Sequence, residues 1–315
     1  MPLIRLDLPR DGRLPAEAAL HLDRALAAAP AGPVVAMVHG MRFSPRVPAL
    51  SPHRHILALD PAERARRVVS WPRALGFGGA GEGEGHCEGD GEGLAIAIGW
   101  EGCGPPWRAW AAAGRAGAGL AAIAARLDAR GDGRPLDIVA HSMGARVALA
   151  GVSAAAPGRI GRVILLAAAE FACTGAWAAA SPAGRRARFF NVTARENGLF
   201  DAALELGFGA ALWRGLGRGL PGAGPHWVDL DIGCAETRAG LAALGFRIGG
   251  GTRRICHWSP YLRPGVFALY TAILRDRAAT TPAILRAALP CRAGTAAPRR
   301  SLRIGGIGPP PGRTA

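Results

Sequence analysis

Lysine is missing from this sequence of 315 residues, so all 38 of its Lys and Arg positions are arginines. They outnumber the 23 acidic residues and give a formal net charge of +15. Such a charge favours binding to phosphate backbones through the release of counterions. The arginines are scattered, however, and no basic run is interleaved with aromatic side chains on which bases could stack. We therefore expect no nucleic-acid partner, and we interpret the arginines as solvated surface residues of a chain rich in Ala, Gly and Pro.

CxxC pairs are also absent. The six cysteines follow neither a zinc-binding spacing nor the framework of a disulfide-rich domain, so we expect free thiols in a reducing compartment. The cysteines are Cys87, Cys103, Cys173, Cys234, Cys256 and Cys291.

Long apolar runs are missing as well. Residues 107–125 form one of the longest apolar stretches, but Arg and Gly interrupt it well short of a membrane span. In the opening MPLIRLDLPRDGRL, charged residues come before any apolar run that could act as a signal peptide. We expect a cytoplasmic protein without an integral membrane segment, and the sequence does not indicate its oligomeric state.

Short apolar runs alternate with longer Ala- and Leu-rich segments along the chain. Several of the short runs are apolar throughout, which is typical of parallel strands covered on both faces. The sequence predicts strands at residues 34–38, 55–59, 94–99, 136–140, 162–166, 189–193 and 254–257. It predicts helices at residues 16–29, 107–130, 144–155, 200–213 and 266–275. This alternation predicts an α/β fold with a doubly wound, mostly parallel sheet and helices on both faces, in one domain at residues 1–288.

Two segments do not fit this core. Residues 76–93 are so rich in Gly and carboxylates that their contacts could not offset the entropy lost on ordering them. We interpret them as a flexible surface insertion rather than a metal site built on His86 and Cys87. Residues 289–315 are rich in Pro, Gly and Arg and are expected to form a disordered basic tail.

A serine stands between a predicted strand and a predicted helix. The strand at 136–140 runs directly into His141-Ser142-Met143-Gly144, which leads into the helix. A turn this tight requires small residues two positions before and two after the serine, and Ala140 and Gly144 meet that requirement. The arrangement is typical of a nucleophile elbow, which lifts the serine hydroxyl clear of the sheet at the start of a helix. The alternative is that Ser142 merely caps an ordinary crossover helix.

With this motif the sequence resembles the α/β-hydrolase superfamily, whose G-x-S-x-G pattern stands here as residues 140–144, AHSMG. Alanine replaces the first glycine. The resemblance covers residues 33–275 and implies a serine hydrolase, of the esterase or lipase kind, with Ser142 as the nucleophile. It also implies that an HG pair, here His39-Gly40, turns the chain toward the serine. The backbone N–H of Met41, or of Arg42, would then form an oxyanion hole with that of Met143. We interpret His39 itself as a structural hydrogen-bonding residue.

The family's chain order is serine, then acid, then histidine, and only His226 and His257 follow Ser142. His257 comes directly after the strand-like RRIC, residues 253–256, and is favoured as the general base. Three acids remain open. Glu196 lies about three residues past the strand at 189–193 and is favoured, while Asp201 and Glu170 are the alternatives.

These expectations describe acyl transfer through an acyl-enzyme, without a cofactor or a metal, on a small-molecule acyl substrate. Alternatives are an acyltransferase, thioesterase or amidase that uses the same residues, and a non-catalytic binding protein of the same fold. Residues 198–251 form a longer excursion that we expect to line an apolar acyl pocket. Core packing is the competing role for the tryptophans assigned to that pocket, which are Trp100, Trp107, Trp213 and Trp227.

Overall fold

A seven-stranded, all-parallel β-sheet forms the centre of the protein. The computed structural model describes residues 3–61, 68–78, 92–129, 131, 133–209 and 213–290. The strands lie in the order β1-β3-β2-β4-β5-β6-β7, and each pair of neighbours is parallel. They are β1 (Leu3–Asp7), β2 (Val34–Val38), β3 (Leu94–Gly99), β4 (Leu136–His141), β5 (Ile160–Leu166), β6 (Arg188–Thr193) and β7 (Trp227–Asp231).

Helices connect the strands and cover the sheet. The longer ones coincide with the Ala- and Leu-rich segments, whose residues have high helix propensity. The helices are α1 (Ala16–Ala28), α2 (Trp71–Ala74), α3 (Pro106–Ala129), α4 (Gly144–Ala154), α5 (Ala172–Ala180), α6 (Gly198–Gly209), α7 (Ala235–Ala243), α8 (Ser259–Leu262), α9 (Val266–Arg275) and α10 (Pro282–Ala287).

The central strands are apolar throughout because both of their faces are covered. In β2 all five residues are buried, and successive side chains belong to two different hydrophobic clusters. Val34, Ala36 and Val38 pack with residues of α1, α3 and α4. Val35 and Met37 pack with residues of α2 and α9 in the second cluster. The α/β class and the parallel sheet expected from the sequence are therefore confirmed.

The two edge strands were not expected from the sequence. β1 and β7 lie at opposite edges of the sheet, and their sequences LIRLD and WVDLD alternate apolar with charged residues. An edge strand is less completely covered than a central one, so its alternate positions tolerate charge. A search for wholly apolar runs therefore finds the centre of the sheet and misses its edges.

Two expected strands are absent from the described chain. Residues 55–57 form turns with local hydrogen bonds such as Leu57 N–H to Pro52 C=O at 3.0 Å. Ile56 and Leu57 are nevertheless fully buried, so burial rather than strand pairing explains the apolar run. Residues 252–255 form bends, and the backbone N–H of Cys256 donates to the carbonyl of Glu196 at 3.0 Å. The expectations of strands at 55–59 and 254–257 were wrong.

Other expectations lie largely outside the described residues. Residues 79–91, with His86 and Cys87, and residues 291–315 are not described, so the surface insertion and the basic tail stay predictions. Within the described ranges, Cys103, Cys173, Cys234 and Cys256 are free thiols. No cluster of His, Cys, Asp or Glu suited to a metal ion occurs among the described residues. None of the described helices combines the length and apolar character needed to cross a membrane.

A network of charged side chains lies at the amino-terminal ends of the central strands. Asp137, near the start of β4, accepts a hydrogen bond from the backbone N–H of Arg162 at 2.7 Å and pairs with the guanidinium of Arg277. Burial raises the pKa of Asp137 to about 6, against the opposing effect of Arg277. Arg162 in turn donates to the carbonyl of Thr280 at 2.9 Å. This network joins β4 and β5 to the chain that follows α9.

Candidate active site

Ser142 occupies a strained turn between β4 and α4, at the carboxyl-terminal end of this central strand. Its φ of 55° is in the left-handed region, which non-glycine residues adopt only when their surroundings enforce it. Its N–H donates to the carbonyl of Leu166 at 2.9 Å. Its carbonyl accepts from the N–H groups of Ala145 and Ala169, both at 3.0 Å. Three backbone hydrogen bonds therefore hold this residue in its unusual conformation.

Small residues are required around this turn. A Cβ atom on Gly144 would lie 2.5 Å from the carbonyl oxygen of His39 and 2.8 Å from that of Val38. A Cβ atom on Gly40 would lie 2.8 Å from the Cβ of Ser142. Ala140, two residues before the serine, is completely buried. The end of β2 and the start of α4 therefore pack directly against the serine.

His257 lies beside the serine, in the segment between α7 and α8. Its Nε2 is 2.7 Å from the Oγ of Ser142, and its Nδ1 is 2.6 Å from the Oδ1 of Asn197. An amide oxygen only accepts, so Nδ1 carries the proton and Nε2 is free to accept from the serine hydroxyl. Burial is the main cause that lowers the pKa of His257 well below 6.5. The imidazole is consequently neutral at pH 7 and can take up a proton.

The side chain behind His257 is Asn197 rather than the expected acid. Asn197 ends a 3₁₀ turn, Arg195–Asn197, that follows β6, and its Nδ2 donates to the Oδ1 of Asp201 at 2.9 Å. Ser142, His257, Asn197 and Asp201 thus form one hydrogen-bonded chain. Burial raises the pKa of Asp201 to about 6; Arg218 opposes this shift and Glu205 adds to it. Asp201, one of the two alternative acids, is connected to the imidazole only through the side chain of Asn197.

Glu196, the favoured acid, faces away from His257. Its Oε1 pairs with the guanidinium of Arg263, and both side chains are buried. Arg263 also donates to the carbonyl of Ile232 at 2.6 Å and to the Oγ of Ser259 at 2.8 Å. Glu196 therefore joins the segments around β7 and α8. The structure corrects its assignment, because adjacent residues in a 3₁₀ turn point about 120° apart and only Asn197 faces the imidazole.

Glu170, the other alternative, is engaged elsewhere. Its carboxylate is completely buried, with Oε2 2.7 Å from the guanidinium of Arg146 and Oε1 accepting from the N–H of Phe171 at 2.7 Å. Burial raises its pKa, although Arg146 acts in the opposite direction. Glu170 therefore links α4 to the segment before α5. His226, the other histidine after the serine, lies 3.2 Å from the carbonyl of Ala179 through its Nε2.

His141 supports the position of His257. Its Nε2 lies 3.1 Å from the carbonyl oxygen of His257, and the two rings are 4.7 Å apart between centroids. Burial lowers the pKa of His141 to about 4, so its ring is neutral and its Nε2–H donates to that carbonyl. The residue before the serine thereby fixes the backbone of the histidine that contacts the serine.

His39 has the structural role expected from the sequence. Its Nε2 accepts from the N–H of Trp100 at 3.1 Å, and its Nδ1 lies 2.7 Å from the carbonyl oxygen of Gly40. Its ring stacks on Trp100 with centroids 5.2 Å apart. Burial lowers the pKa of His39 to about 3. A neutral His39 with both ring nitrogens engaged shapes the loop that follows β2.

Two backbone N–H groups near Ser142 were predicted to form an oxyanion site. Arg42 is excluded as a donor because its N–H is bonded to the carbonyl of Gly102 at 2.8 Å. Within the described part of the chain, the N–H groups of Met41 and Met143 have no backbone acceptor. Met143 precedes α4, so its N–H lies at the positive end of that helix. The assignment of Met41 and Met143 as oxyanion donors stays a prediction.

The four tryptophans of the expected acyl pocket separate into two groups. Trp100 is 1% exposed and Trp227 is 3% exposed. Trp100 stacks on His39. Trp227 is the first residue of β7 and stacks on Phe189. Both tryptophans belong to the hydrophobic core, which is the alternative role that the sequence left open for them. Trp213 lies 6.2 Å from Phe171 between ring centroids, and Trp107 is 66% exposed. The pocket along residues 198–251 stays a prediction for the remaining pair.

Asn197 was the functional candidate that the sequence did not indicate. A search for an acid after β6 passes over an amide. One signal was available: Asn197 and Asp201 are four residues apart at the start of a helix, the spacing at which side chains meet.

Comparison with known proteins provides no further identification. No protein-family model, no curated protein and no solved structure matches this chain. Its function has to be argued from the geometry around Ser142.

Proposed function

We propose that this protein is a serine hydrolase of the α/β-hydrolase type that cleaves carboxylic esters or related acyl substrates. One observation carries the proposal: the Oγ of Ser142, on a residue with φ of 55°, lies 2.7 Å from the Nε2 of His257. A strained serine at the end of a parallel strand, within hydrogen-bond distance of a neutral imidazole, is suited to nucleophilic attack.

The reaction proceeds in two steps. His257 takes the proton of Ser142 as the hydroxyl oxygen attacks the acyl carbon, and a tetrahedral intermediate forms. The N–H groups of Met41 and Met143 stabilise its oxyanion, each by about 3 kcal/mol. His257 then protonates the leaving alcohol, which departs and leaves an ester on Ser142. Water, deprotonated by His257, attacks this ester, and the same steps release the carboxylic acid and restore the hydroxyl.

Labelling with a fluorophosphonate tests the proposal, because only an activated serine reacts with it. We expect the wild type to gain the mass of one phosphonyl group and to hydrolyse short-chain 4-nitrophenyl esters. Ser142→Ala and His257→Ala should do neither. Ser153→Ala, which alters another serine of α4, is the matched control and should behave as the wild type. A wild type that neither reacts with the probe nor cleaves any ester would contradict the proposal.

Competing acceptors separate hydrolysis from transfer. Adding an alcohol or a thiol to the ester assay should leave most of the acyl group with water if the protein is a hydrolase. Preferential formation of a new ester or thioester would assign the same acyl-enzyme to an acyltransferase. Peptide amides and thioesters, assayed in parallel, would define the class of substrate.

A further inference from the structure

We propose that Asp201, acting through the amide of Asn197, sets the tautomer of His257 and thereby keeps Nε2 able to accept the proton of Ser142. This inference rests on the proposed function. It assigns a positioning role to two residues that do not touch the reacting atoms.

The orientation of the Asn197 amide follows from the hydrogen-bonding capacity of the Asp201 carboxylate. An ionised carboxylate has only acceptor atoms, so the Nδ2 of Asn197 must face it, as the 2.9 Å contact has it. The Oδ1 of Asn197 then faces His257 at 2.6 Å and can only accept. Nδ1 of His257 must therefore carry the proton, and Nε2 must be the acceptor 2.7 Å from Ser142. The charge of Asp201 thus determines which imidazole nitrogen is basic.

Protonation of Asp201 removes this constraint. A carboxylic acid can donate, so the amide of Asn197 can turn over and present Nδ2 to the imidazole. Nδ1 of His257 would then have to accept, its proton would move to Nε2, and the base would be lost. Uptake of a proton by Asp201 should accordingly lower the activity, even while His257 itself is still neutral.

The surroundings of Asp201 place this event near neutral pH. Its carboxylate is 5% exposed, and a Cβ atom on Gly217 would lie 2.1 Å from its Oδ1. Burial is the main cause that raises its pKa to about 6. The charged groups that act on it are Arg218, which lowers the pKa, and Glu205, which raises it. Arg218 is largely neutralised by its own bidentate contact with Glu205, at 2.6 and 2.8 Å.

Among the described neighbours of His257, the hydrogen bond of Nδ1 is made with Asn197. The ring of Phe200 stacks on the imidazole at 4.5 Å between centroids, and the neutral ring of His141 lies 4.7 Å away. The Glu196 and Glu170 carboxylates are bound to Arg263 and Arg146, respectively. Among the described residues, Asn197 is the hydrogen-bond partner of Nδ1, so the tautomer depends on the orientation of its amide.

Nitrogen-15 NMR of the imidazole tests the proposal directly. Protein labelled at its histidine nitrogens is compared with His257→Gln to assign the signals of His257. At pH 8 we expect the wild type to show Nδ1 protonated and Nε2 unprotonated. Asp201→Asn should show a mixture of tautomers, because an amide at position 201 can either donate to or accept from Asn197. Identical tautomer signals in the two proteins would overturn the proposal.

Exchanging the two residues provides the matched rescue. Asn197→Asp/Asp201→Asn places a carboxylate directly against Nδ1 and an amide behind it. We expect Asp201→Asn alone to lower kcat/KM for a 4-nitrophenyl ester roughly 10- to 100-fold at pH 8, because part of the protein would then carry the His257 proton on Nε2. The exchange should restore the Nδ1-protonated tautomer and bring kcat/KM to within about tenfold of the wild type. Asp60→Asn, an exposed change, should match the wild type.

The pH profile separates this role from a purely structural one. In the wild type kcat/KM should fall as the pH drops through about 6, where Asp201 takes up its proton. In Asp201→Asn the fall should move to lower pH, because only His257 still titrates. A reduced rate with an unchanged profile would mean that Asp201 merely supports the fold, and would overturn the proposal. If the wild type lacks both labelling and esterase activity, the proposed function fails, and the NMR comparison still decides the tautomer.

Discussion

Asp137 and Asp201 are buried carboxylates, one near the amino-terminal end of β4 and one in α6 after the carboxyl-terminal end of β6, and burial raises the pKa of each to about 6. Their hydrogen-bond partners differ. Asp137 pairs with Arg277 and accepts from the N–H of Arg162. Asp201 accepts from the neutral amide of Asn197, which leads to His257. The two carboxylates therefore share their burial, and what distinguishes them is that the partner of Asp201 leads to His257.

Removing the proposed nucleophile should have the largest effect on activity. We expect Ser142→Ala to lower ester hydrolysis at least about 10⁴-fold, because the attacking oxygen is lost. Its free energy of unfolding should change by less than about 1 kcal/mol, since the three backbone hydrogen bonds of residue 142 remain. Steady-state kinetics and urea unfolding on the same sample measure the two quantities. A large loss of stability with residual activity would contradict this expectation, because it would mean that Ser142 supports the fold and is not needed for the reaction.

For Asp137, near the amino-terminal end of β4, we expect the opposite result: a large loss of stability and little change in activity. Asp137→Ala leaves the N–H of Arg162 without its acceptor and Arg277 without its partner, so we expect unfolding to become easier by about 3 kcal/mol. At a temperature where the variant is folded, kcat/KM should stay within about twofold of the wild type. Loss of activity in the folded variant would show that this network also acts on the site.

The charge of Asp201 should reduce stability at neutral pH. Its pKa is raised from 3.8 to about 6 on folding, so the folded state binds the proton more tightly. This contribution to stability is fully present below pH 3.8 and is lost as the pH rises through about 6. Relative to the wild type, Asp201→Asn should therefore gain about 2 kcal/mol between pH 4 and pH 7. Urea unfolding across this range measures the difference, and a constant difference would contradict the raised pKa.

The smallest effect should come from the ring that covers the histidine. Phe200 is 39% exposed and stacks on His257. In Phe200→Ala water reaches the imidazole, so the pKa of His257 should rise toward 6.5, because burial is what lowers it. We expect kcat/KM at pH 8 to stay within about threefold of the wild type. NMR titration of His257 measures the shift, with Leu199→Ala, an exposed neighbour, as the control.

The sequence predicted the central strands well because a strand that is buried on both faces consists mostly of apolar residues. The strands β2, β3, β4, β5 and β6 are apolar runs, and α9 has the bounds expected for it. The edge strands β1 and β7 carry alternating charges, and the apolar run at 55–59 is buried without pairing. Composition alone does not separate burial in a strand from burial in a turn.

At the site, sequence reasoning brought Ser142 and His257 together but not the residue behind the histidine. The elbow motif is local, because it consists of the five consecutive residues 140–144. The choice between Glu196 and Asn197 depends instead on the rotation of one 3₁₀ turn, and Arg263, far along the chain, fixes that rotation by binding Glu196. Long-range pairing of this kind has no trace in the local sequence.

The three backbone hydrogen bonds of Ser142 have a consequence for the chemical step. The Cα–Cβ bond of the nucleophile has a fixed direction because the main chain holds it at Leu166, Ala145 and Ala169. The orientational entropy of the attacking group is therefore lost once, when the chain folds, and not again with each substrate that arrives.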